Sequence, residues 1–246
     1  IKQWSGQAGK ALGRWLAAGA NALSVTDGST NCADQNAGVV LLDRRYVGAD
    51  EEHAVTHEQR CTAAAGGGIH VSERIVLPPA FVDPARVGVT FTLPEGFERL
   101  VWYGRGPHES YWDRKSGARL GRYTSTVTEQ YVPYIVPQEH GGHADTRWFA
   151  LEGDECGLLV VPDEPAEFTA SHFSADDLYK ATHTHQLAPR AEVIVCLDIH
   201  QRGLGGASCG PDTLEQYRLP AGVHGFGYRL VPYRVGEADP GELARM

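Results

Sequence analysis

The residues best suited to chemistry lie in the stretch YGRGPHESYWDRKSGARLGRY, between Tyr103 and Tyr123. Its candidate binding residues are Gly106, His108, Glu109, Trp112, Asp113 and Arg114. Aromatic rings stack on the apolar faces of sugars, while carboxylates and guanidinium groups hydrogen-bond to hydroxyls. The stretch therefore predicts a loop that binds a polar small molecule. The alternative is a solvated hairpin in which Asp113 and Arg114 pair only with each other.

Glu109 and Asp113 are not expected to be a pair of glycosidase carboxylates. Such a pair lies about 5–9 Å apart, on either side of the bond that is cleaved. Two residues four positions apart in one loop rarely reach opposite sides of a substrate. We therefore predict no catalytic residue in this loop.

Histidines recur at short spacings in two places. His140 and His143 flank two glycines, and His183 and His185 alternate with threonines in THTH. Zinc sites use such spacings, but they need further ligands, and the sequence has no CxxC pair. We predict no metal site, and we place the THTH histidines on one face of a strand.

A second glycine-rich stretch, DIHQRGLGGASCGPD, runs from Asp198 to Asp212. It lacks the GxGxxG spacing of dinucleotide-binding turns. Cys209 is a candidate nucleophile with His200 as its base, although a lone loop cysteine is more often inert. We therefore favour an inert Cys209 over a nucleophile.

The composition of the chain argues against two classes of binding partner. The chain has 246 residues and a formal net charge of −9, without the clustered Lys and Arg of nucleic-acid-binding proteins. No apolar run approaches the roughly 20 residues of a membrane helix, so neither nucleic acid nor membrane is expected. Five scattered cysteines favour reduced thiols and a cytoplasmic location. Because the sequence starts at Ile1 rather than Met, we expect a fragment of a longer chain.

The sequence predicts a set of β-strands that would position these loops. Apolar residues at steps of three and four up to Leu16 predict a short N-terminal helix that ends near Gly19. The predicted strands cover residues 38–47, 69–77, 85–94, 97–103, 146–152, 156–161, 167–172, 191–199 and 226–233. Ser174 and Asp177 predict a capping box that opens a second short helix. Many short strands separated by turns are typical of an all-β sandwich, here one domain over residues 1–246.

The order of three motifs resembles the C-terminal domain of the large β-galactosidases of glycoside hydrolase family two. That family has a G-x-G-P-x-E-x-Y-x-D-R loop, a Y-x-P-Y-x-x-P-x-E-x-G segment, a T-R element and a G-x-G-G loop. The matching residues are Gly104, Gly106, Pro107, Glu109, Tyr111, Asp113, Arg114, Tyr131, Pro133, Tyr134, Pro137, Glu139, Gly141, Thr146, Arg147, Gly203, Gly205 and Gly206.

The resemblance implies a large antiparallel β-supersandwich related to galactose mutarotases. It also implies a parent enzyme that hydrolyses terminal β-galactosides such as lactose with retention. The catalytic glutamates of that family lie on a separate (β/α)₈ barrel, for which this chain has no room. The resemblance thus implies no cofactor here, with Mg²⁺ and Na⁺ in the barrel domain of the parent. The implied partners are the remaining parent domains, a galactoside and other copies of the full-length enzyme.

By this resemblance, residues 106–114 form one edge of the active-site mouth, and Ser208 and Cys209 lie on another. Some relatives carry a stacking Trp in the second loop, where this chain has ASCG. We therefore expect Ser208 and Cys209 to make only smaller contacts with a leaving sugar.

Two other functions stay open on the sequence. An independent aldose 1-epimerase needs a general acid and base, for which His140, Glu139 and His172 are the candidates. A carbohydrate-binding module would use Tyr111 and Trp112 as a stacking platform.

Overall fold

The computed structural model describes residues 10–34, 38–64, 67–205 and 211–246. The chain divides into two compact units. Unit 1 contains residues 1–64, 69–87 and 200–228, and unit 2 contains residues 65–68, 88–199 and 229–246. The expectation of a single domain cut from a longer enzyme stays a prediction.

Antiparallel strands dominate both units, as expected. The strands are β1 (Ser24–Asp34), β2 (Val39–Val47), β3 (Ala54–Ala63), β4 (Ile69–Leu77), β5 (Arg86–Leu93), β6 (Arg99–Gly106), β7 (Arg119–Thr126), β8 (His143–Thr146), β9 (Trp148–Glu152), β10 (Cys156–Pro162), β11 (Ala166–Ser171), β12 (Val193–Gln201) and β13 (Gly222–Arg234). The α-helices are α1 (Ala11–Ala17), α2 (Ala175–Lys180) and α3 (Pro240–Leu243). None of the helices in the described part of the chain is both long and apolar enough to cross a membrane.

Unit 1 is built on a sheet with the strand order β1-β2-β3-β4-β13. Helix α1 precedes it and ends where predicted, because Gly19 has a φ of 70°. A Cβ at Gly19 would lie 2.4 Å from the backbone nitrogen of Ala49, so only glycine fits this close approach.

A buried ion pair fixes the centre of unit 1. Asp83 is 6% exposed, and its carboxylate accepts from Arg202 Nε at 2.7 Å and from Arg14 Nη2 at 3.2 Å. The Trp15 indole donates to the Asp83 carbonyl at 2.6 Å. This one residue therefore holds α1 against the end of β12.

Unit 2 is a sandwich of two sheets. The later part of β13 joins β10, β9, β6 and β7 in one sheet, and β5, β12, β11 and β8 form the other. Phe149 of β9 stacks on Phe168 of β11 with ring centroids 4.1 Å apart, and both rings are fully buried. The core thus lies between the sheets, as in other face-to-face β-sandwiches.

Several predicted elements are confirmed almost to the residue. Strands β2, β4, β5 and β10 occupy the predicted spans. Ser174 accepts from the Asp177 N–H and Asp177 accepts from the Ser174 N–H, which is the predicted capping box. Helix α1 contains Trp15 and Leu16, whereas Trp4 and Ala8 lie outside the described residues.

Other predictions were wrong. The THTH histidines lie at a 3₁₀ turn over Thr184–Gln186, not on a strand. Strands β1, β3 and β7 were missed, because their sequences lack a clear apolar face: the described side chains of β1 are exposed. Residues 104–106, expected in a turn, complete strand β6 instead.

The Asp83 ion pair gives a stability prediction. Arg202→Met would remove the 2.7 Å partner of the buried Asp83 carboxylate and leave it the more distant Arg14 and the Leu219 N–H at 3.3 Å; we expect a loss of about 3–5 kcal/mol in the free energy of unfolding. The matched control is Arg74→Met, which removes an exposed 2.7 Å pair with Glu58 and costs about 0–1 kcal/mol. Urea unfolding of the three proteins measures both effects; equal losses would contradict a central role for Asp83.

Candidate functional site

An open cleft of about 520 Å³ lies in unit 2, beside the loop between β6 and β7. We call residues 107–118 the rim loop. The cleft is lined by Pro107, His108, Glu109, Arg114, Ser116, Gly117, Ala118, Ser125, Glu129, Gln130, Val132 and Gly141. Three predicted binding residues, His108, Glu109 and Arg114, thus line it. Gly106, Trp112 and Asp113 lie in or next to the rim loop beside the cleft, and Ser208 and Cys209 lie outside the described residues.

The two glycines before the rim loop serve close packing within strand β6. A Cβ at Gly104 would lie 2.5 Å from Thr146 Oγ1, and one at Gly106 would lie 2.8 Å from the Tyr123 ring. Real Cβ atoms do not approach other atoms this closely. The glycines therefore let β8 and an aromatic ring pack directly on the strand that leads into the rim loop.

The rim loop turns tightly, and part of it is buried. Tyr111 and Arg114 exchange backbone hydrogen bonds of 3.1 and 2.8 Å. Ser110 and Tyr111 are fully buried, and the Gly142 N–H donates to the Tyr111 hydroxyl at 3.1 Å. The Ser110 N–H also donates to the Gly142 carbonyl at 2.7 Å. The loop is thus attached to residues 141–144 by hydrogen bonds that replace a strand pairing.

Glu109 is the most heavily bonded side chain of the rim loop. Tyr134 Oη and Arg114 Nη2 donate to Oε1, and the Gly141 N–H donates to Oε2 at 2.9 Å. Burial raises the pKa of Glu109, but the bonds from Tyr134, Gly141 and Arg114 outweigh it and hold the pKa below its ordinary value. Glu109 is therefore a carboxylate with both oxygens occupied, which suits a structural role better than proton transfer.

The aromatic residues of the rim loop divide into a buried and an exposed one. Tyr111 is 0% exposed, so it cannot offer a stacking platform to a sugar. Trp112 is 39% exposed, and Lys115 Nζ lies 4.8 Å from its ring centroid. Arg114 pairs with Glu109, which differs from the local Asp113–Arg114 pair of the alternative interpretation. Of the predicted platform, only Trp112 is accessible.

Some residues of the site had no local signal in the sequence. Three of them, Ser125, Glu129 and Gln130, line the cleft. Ser125 Oγ donates to the Glu129 carboxylate at 2.9 Å and accepts from Gln130 Nε2 at 2.8 Å. Asp145 binds Lys115 from strand β8. The one available signal was Tyr134, which belongs to the family's Y-x-P-Y segment and bonds Glu109.

His143 lies beneath the rim loop in the core of unit 2. It is 0% exposed and lies between the rings of Trp102 and Phe168, at centroid distances of 4.3 and 5.3 Å. Nδ1 lies 3.1 Å from the Arg105 carbonyl and Nε2 lies 2.7 Å from the Gln130 side-chain amide. Burial lowers the pKa of His143 to about 4, so the ring is neutral near pH 7.

The other histidines do not form a metal site among the described residues. In that part of the chain, no group of three or more His, Cys, Asp and Glu is placed to hold an ion. His140, a candidate epimerase residue, is only 5% exposed, and its Nδ1 bonds the Gln138 carbonyl. His172 Nε2 lies 2.9 Å from Glu98, its own carboxylate partner. This arrangement does not place an acid and a base on opposite sides of an open sugar site.

The second glycine-rich loop is held at its two ends. Arg202 donates to Thr213 Oγ1 and to Asp212, each at 2.7 Å, and the Gly203 N–H donates to the Tyr217 carbonyl at 2.9 Å. Gly206 and Cys209 lie outside the described residues, so the expectation of an inert Cys209 stays a prediction.

Comparison with known proteins gives one family over nearly the whole chain. The profile of the family described as "Beta galactosidase small chain" matches residues 6–230. A β-galactosidase of Vibrio cholerae is 33% identical over 230 residues, which cover 93% of this chain and 22% of that protein. The β-galactosidases of Priestia megaterium and Kluyveromyces lactis are 35% and 36% identical over 57% and 62% of this chain. The chain thus spans only 14–22% of the length of these curated relatives.

Among solved structures, a galactose mutarotase-like protein from Lactobacillus casei aligns with 84% of this chain and 73% of its own. The TM-score is 0.40 and the sequence identity is 11%. The antiparallel strands and their order in the sheets therefore define the fold of this chain.

The close packing beneath the rim loop can be tested by substituting two glycines. Gly142→Ala would place a Cβ 2.5 Å from the buried Tyr111 ring, and we expect a loss of about 1–3 kcal/mol in the free energy of unfolding. Gly117→Ala is the control, since a Cβ there meets nothing within 4 Å. Urea unfolding midpoints measure both; the packing argument fails if the two alanines have the same effect.

His143 gives a pH prediction. Its folded pKa of about 4 lies below the ordinary value of 6.5, so the unfolded chain binds a proton more readily between these values. We expect the free energy of unfolding to fall as the pH drops from 6.5 to 4, by at most about 3 kcal/mol from this group. The variant His143→Gln should show a flatter pH dependence than the wild type over this range. Parallel pH profiles for wild type and His143→Gln would refute the assignment.

Proposed function

This chain belongs to the β-galactosidase small-chain family, and we propose that it is the C-terminal part of a retaining β-galactosidase that hydrolyses terminal β-D-galactosides such as lactose. In this proposal the chain supplies rim loops of the active-site pocket and packs against the remaining domains of a cytoplasmic enzyme. The observation that carries the proposal is the family match over residues 6–230, together with relatives of which the chain covers 14% and 22%.

The geometry of the cleft supports a binding role without catalysis. A retaining glycosidase needs one carboxylate free to attack and one carboxylic acid free to donate a proton. Both oxygens of Glu109 are occupied, and Glu129 accepts from Ser125 Oγ and from the Thr126 N–H at 3.1 Å. The two carboxylates that line the cleft thus already hold protein groups, and we assign the catalytic glutamates to another domain of the parent.

Metal ions are assigned to another domain for a similar reason. The family implies Mg²⁺ and Na⁺, which bind clusters of oxygen ligands. The carboxylates that line the cleft, Glu109 and Glu129, instead accept hydrogen bonds from Tyr, Arg, Ser and backbone N–H groups. Their partners are therefore protein hydrogen-bond donors. The residues described here therefore do not fit these ions, and no step of the proposed reaction runs through a metal on this chain.

The binding contribution rests on residues that face the cleft or stand beside it. His108, Glu109 and Arg114 line the cleft, and Trp112 is an exposed residue of the same rim loop. Guanidinium and imidazole groups can hydrogen-bond sugar hydroxyls, and an exposed indole can stack on a sugar face. We assign Gly106 and Asp113 to the shape of this rim, and Ser208 and Cys209 to a second wall.

Complementation tests the proposal. The purified chain alone should not hydrolyse a chromogenic β-galactoside, and the full-length protein that contains it should. A full-length protein lacking these 246 residues should lose activity, and adding the separate chain should restore part of it. Clear turnover by the chain alone, or full activity without it, would contradict the proposal.

A matched pair of variants makes the test specific to the rim. Glu109→Gln in the full-length protein should raise the KM for the galactoside at least several-fold, because a carboxylate that organises the rim loop becomes neutral. The control is Asp176→Asn, which removes an exposed ion pair with Lys180 on helix α2 and should leave the kinetics unchanged. Equal kinetics for both variants would argue against a rim role for Glu109.

A further inference from the structure

Asp145 joins the rim loop to strand β8 through two cations. Arg105 Nε donates to one of its carboxylate oxygens, and Lys115 Nζ lies 2.7 Å from the other. Arg105 is the residue before Gly106 at the end of β6, and Lys115 lies in the later half of the rim loop. We call Arg105, Lys115 and Asp145 the ionic clamp.

Arg105 also binds the backbone of the rim loop. Its Nη1 donates to the carbonyls of Lys115 at 3.2 Å and of Ala118 at 2.9 Å. Its own carbonyl accepts from the Trp102 indole at 3.0 Å. A guanidinium held by Asp145 therefore fixes the path of the chain where the rim loop returns to strand β7.

The backbone at Asp145 is adapted to this position. Its φ of 51° lies in the left-handed region, where Asp and Asn are the non-glycine residues most often found. Arg147 Nη1 donates to its carbonyl at 2.6 Å. Asparagine can therefore replace Asp145 without changing the backbone, so the charge can be tested apart from the fold.

The clamp also sets the surroundings of Trp112. Lys115 binds Asp145 and stands 4.8 Å from the centroid of the Trp112 ring. A cation over an indole face attracts it. The position of Lys115, and with it that of the one accessible aromatic ring of the rim loop, thus depends on the charge of Asp145.

We propose that Asp145 is a positioning residue for the rim loop, which fixes its later half and the orientation of Trp112 through Arg105 and Lys115. Glu109 anchors the earlier half, so the two carboxylates hold the loop in one conformation before a ligand arrives. A preorganised loop does not have to be ordered on binding, which favours affinity. The consequence for galactosides rests on the proposed function, whereas the clamp itself is a property of this chain.

Tryptophan fluorescence tests the clamp directly. In Asp145→Asn we expect a shifted emission maximum and about a twofold or greater increase in quenching by acrylamide, because Lys115 loses its charged partner. Lys115→Met should reproduce the change, since it removes the cation but keeps an unbranched side chain that is only one atom shorter. In a Trp112→Phe background neither substitution should alter the signal, which assigns the effect to Trp112. The control Asp176→Asn should match wild type, and circular dichroism should show that all variants are folded.

Kinetics of the full-length protein test the positioning role. For a chromogenic β-galactoside we expect Asp145→Asn to raise KM about three- to tenfold, with kcat within about twofold of wild type. Unchanged fluorescence in Asp145→Asn, or changed fluorescence with unchanged KM, would overturn the proposal. If the wild-type full-length protein has no β-galactosidase activity, the proposed function fails, and the fluorescence comparison still decides on the clamp.

Discussion

A loop outside regular structure must find partners for the polar groups that it buries, and in the rim loop these partners depend above all on Glu109. Its carboxylate takes hydrogen bonds from Tyr134, Arg114 and the backbone of Gly141. If it were absent, the buried Gly141 N–H would lose the acceptor that compensates for its burial, at a cost of about 1–3 kcal/mol. Since its pKa is held low, the carboxylate keeps its charge at neutral pH, and the loop keeps its shape.

Glycines allow the rim loop and the strand that leads into it to pack closely against their neighbours. Gly104 and Gly106 admit Thr146 and Tyr123 against strand β6, and Gly142 admits the Tyr111 ring. In the structure these glycines leave room at points where neighbouring elements touch. The same residues that would give flexibility in an open turn therefore produce a tightly packed base for the rim loop.

The elements that sequence reasoning predicted are those set by local rules. Alternating apolar residues gave strands such as β5, and Ser174 with Asp177 gave the capping box of α2. Strand β7 was missed because it carries polar residues on both faces at the edge of its sheet. The antiparallel architecture followed from the number and spacing of strands, but the two compact units follow from contacts between distant residues, which the sequence does not display.

The site shows the same division between local and distant information. Glu109 was recognisable as a residue with chemistry, but its role depends on Tyr134 and Gly141, 25 and 32 positions away. Asp145 gave no signal at all, because its partner Lys115 lies 30 positions earlier in the chain. In each case a charged group that looks free in the sequence is bound in the fold. A carboxylate with both oxygens bound, as in Glu109, suits holding a fixed surface better than transferring a proton. The charges of the rim loop are therefore better understood as the means of fixing its shape than as reacting groups.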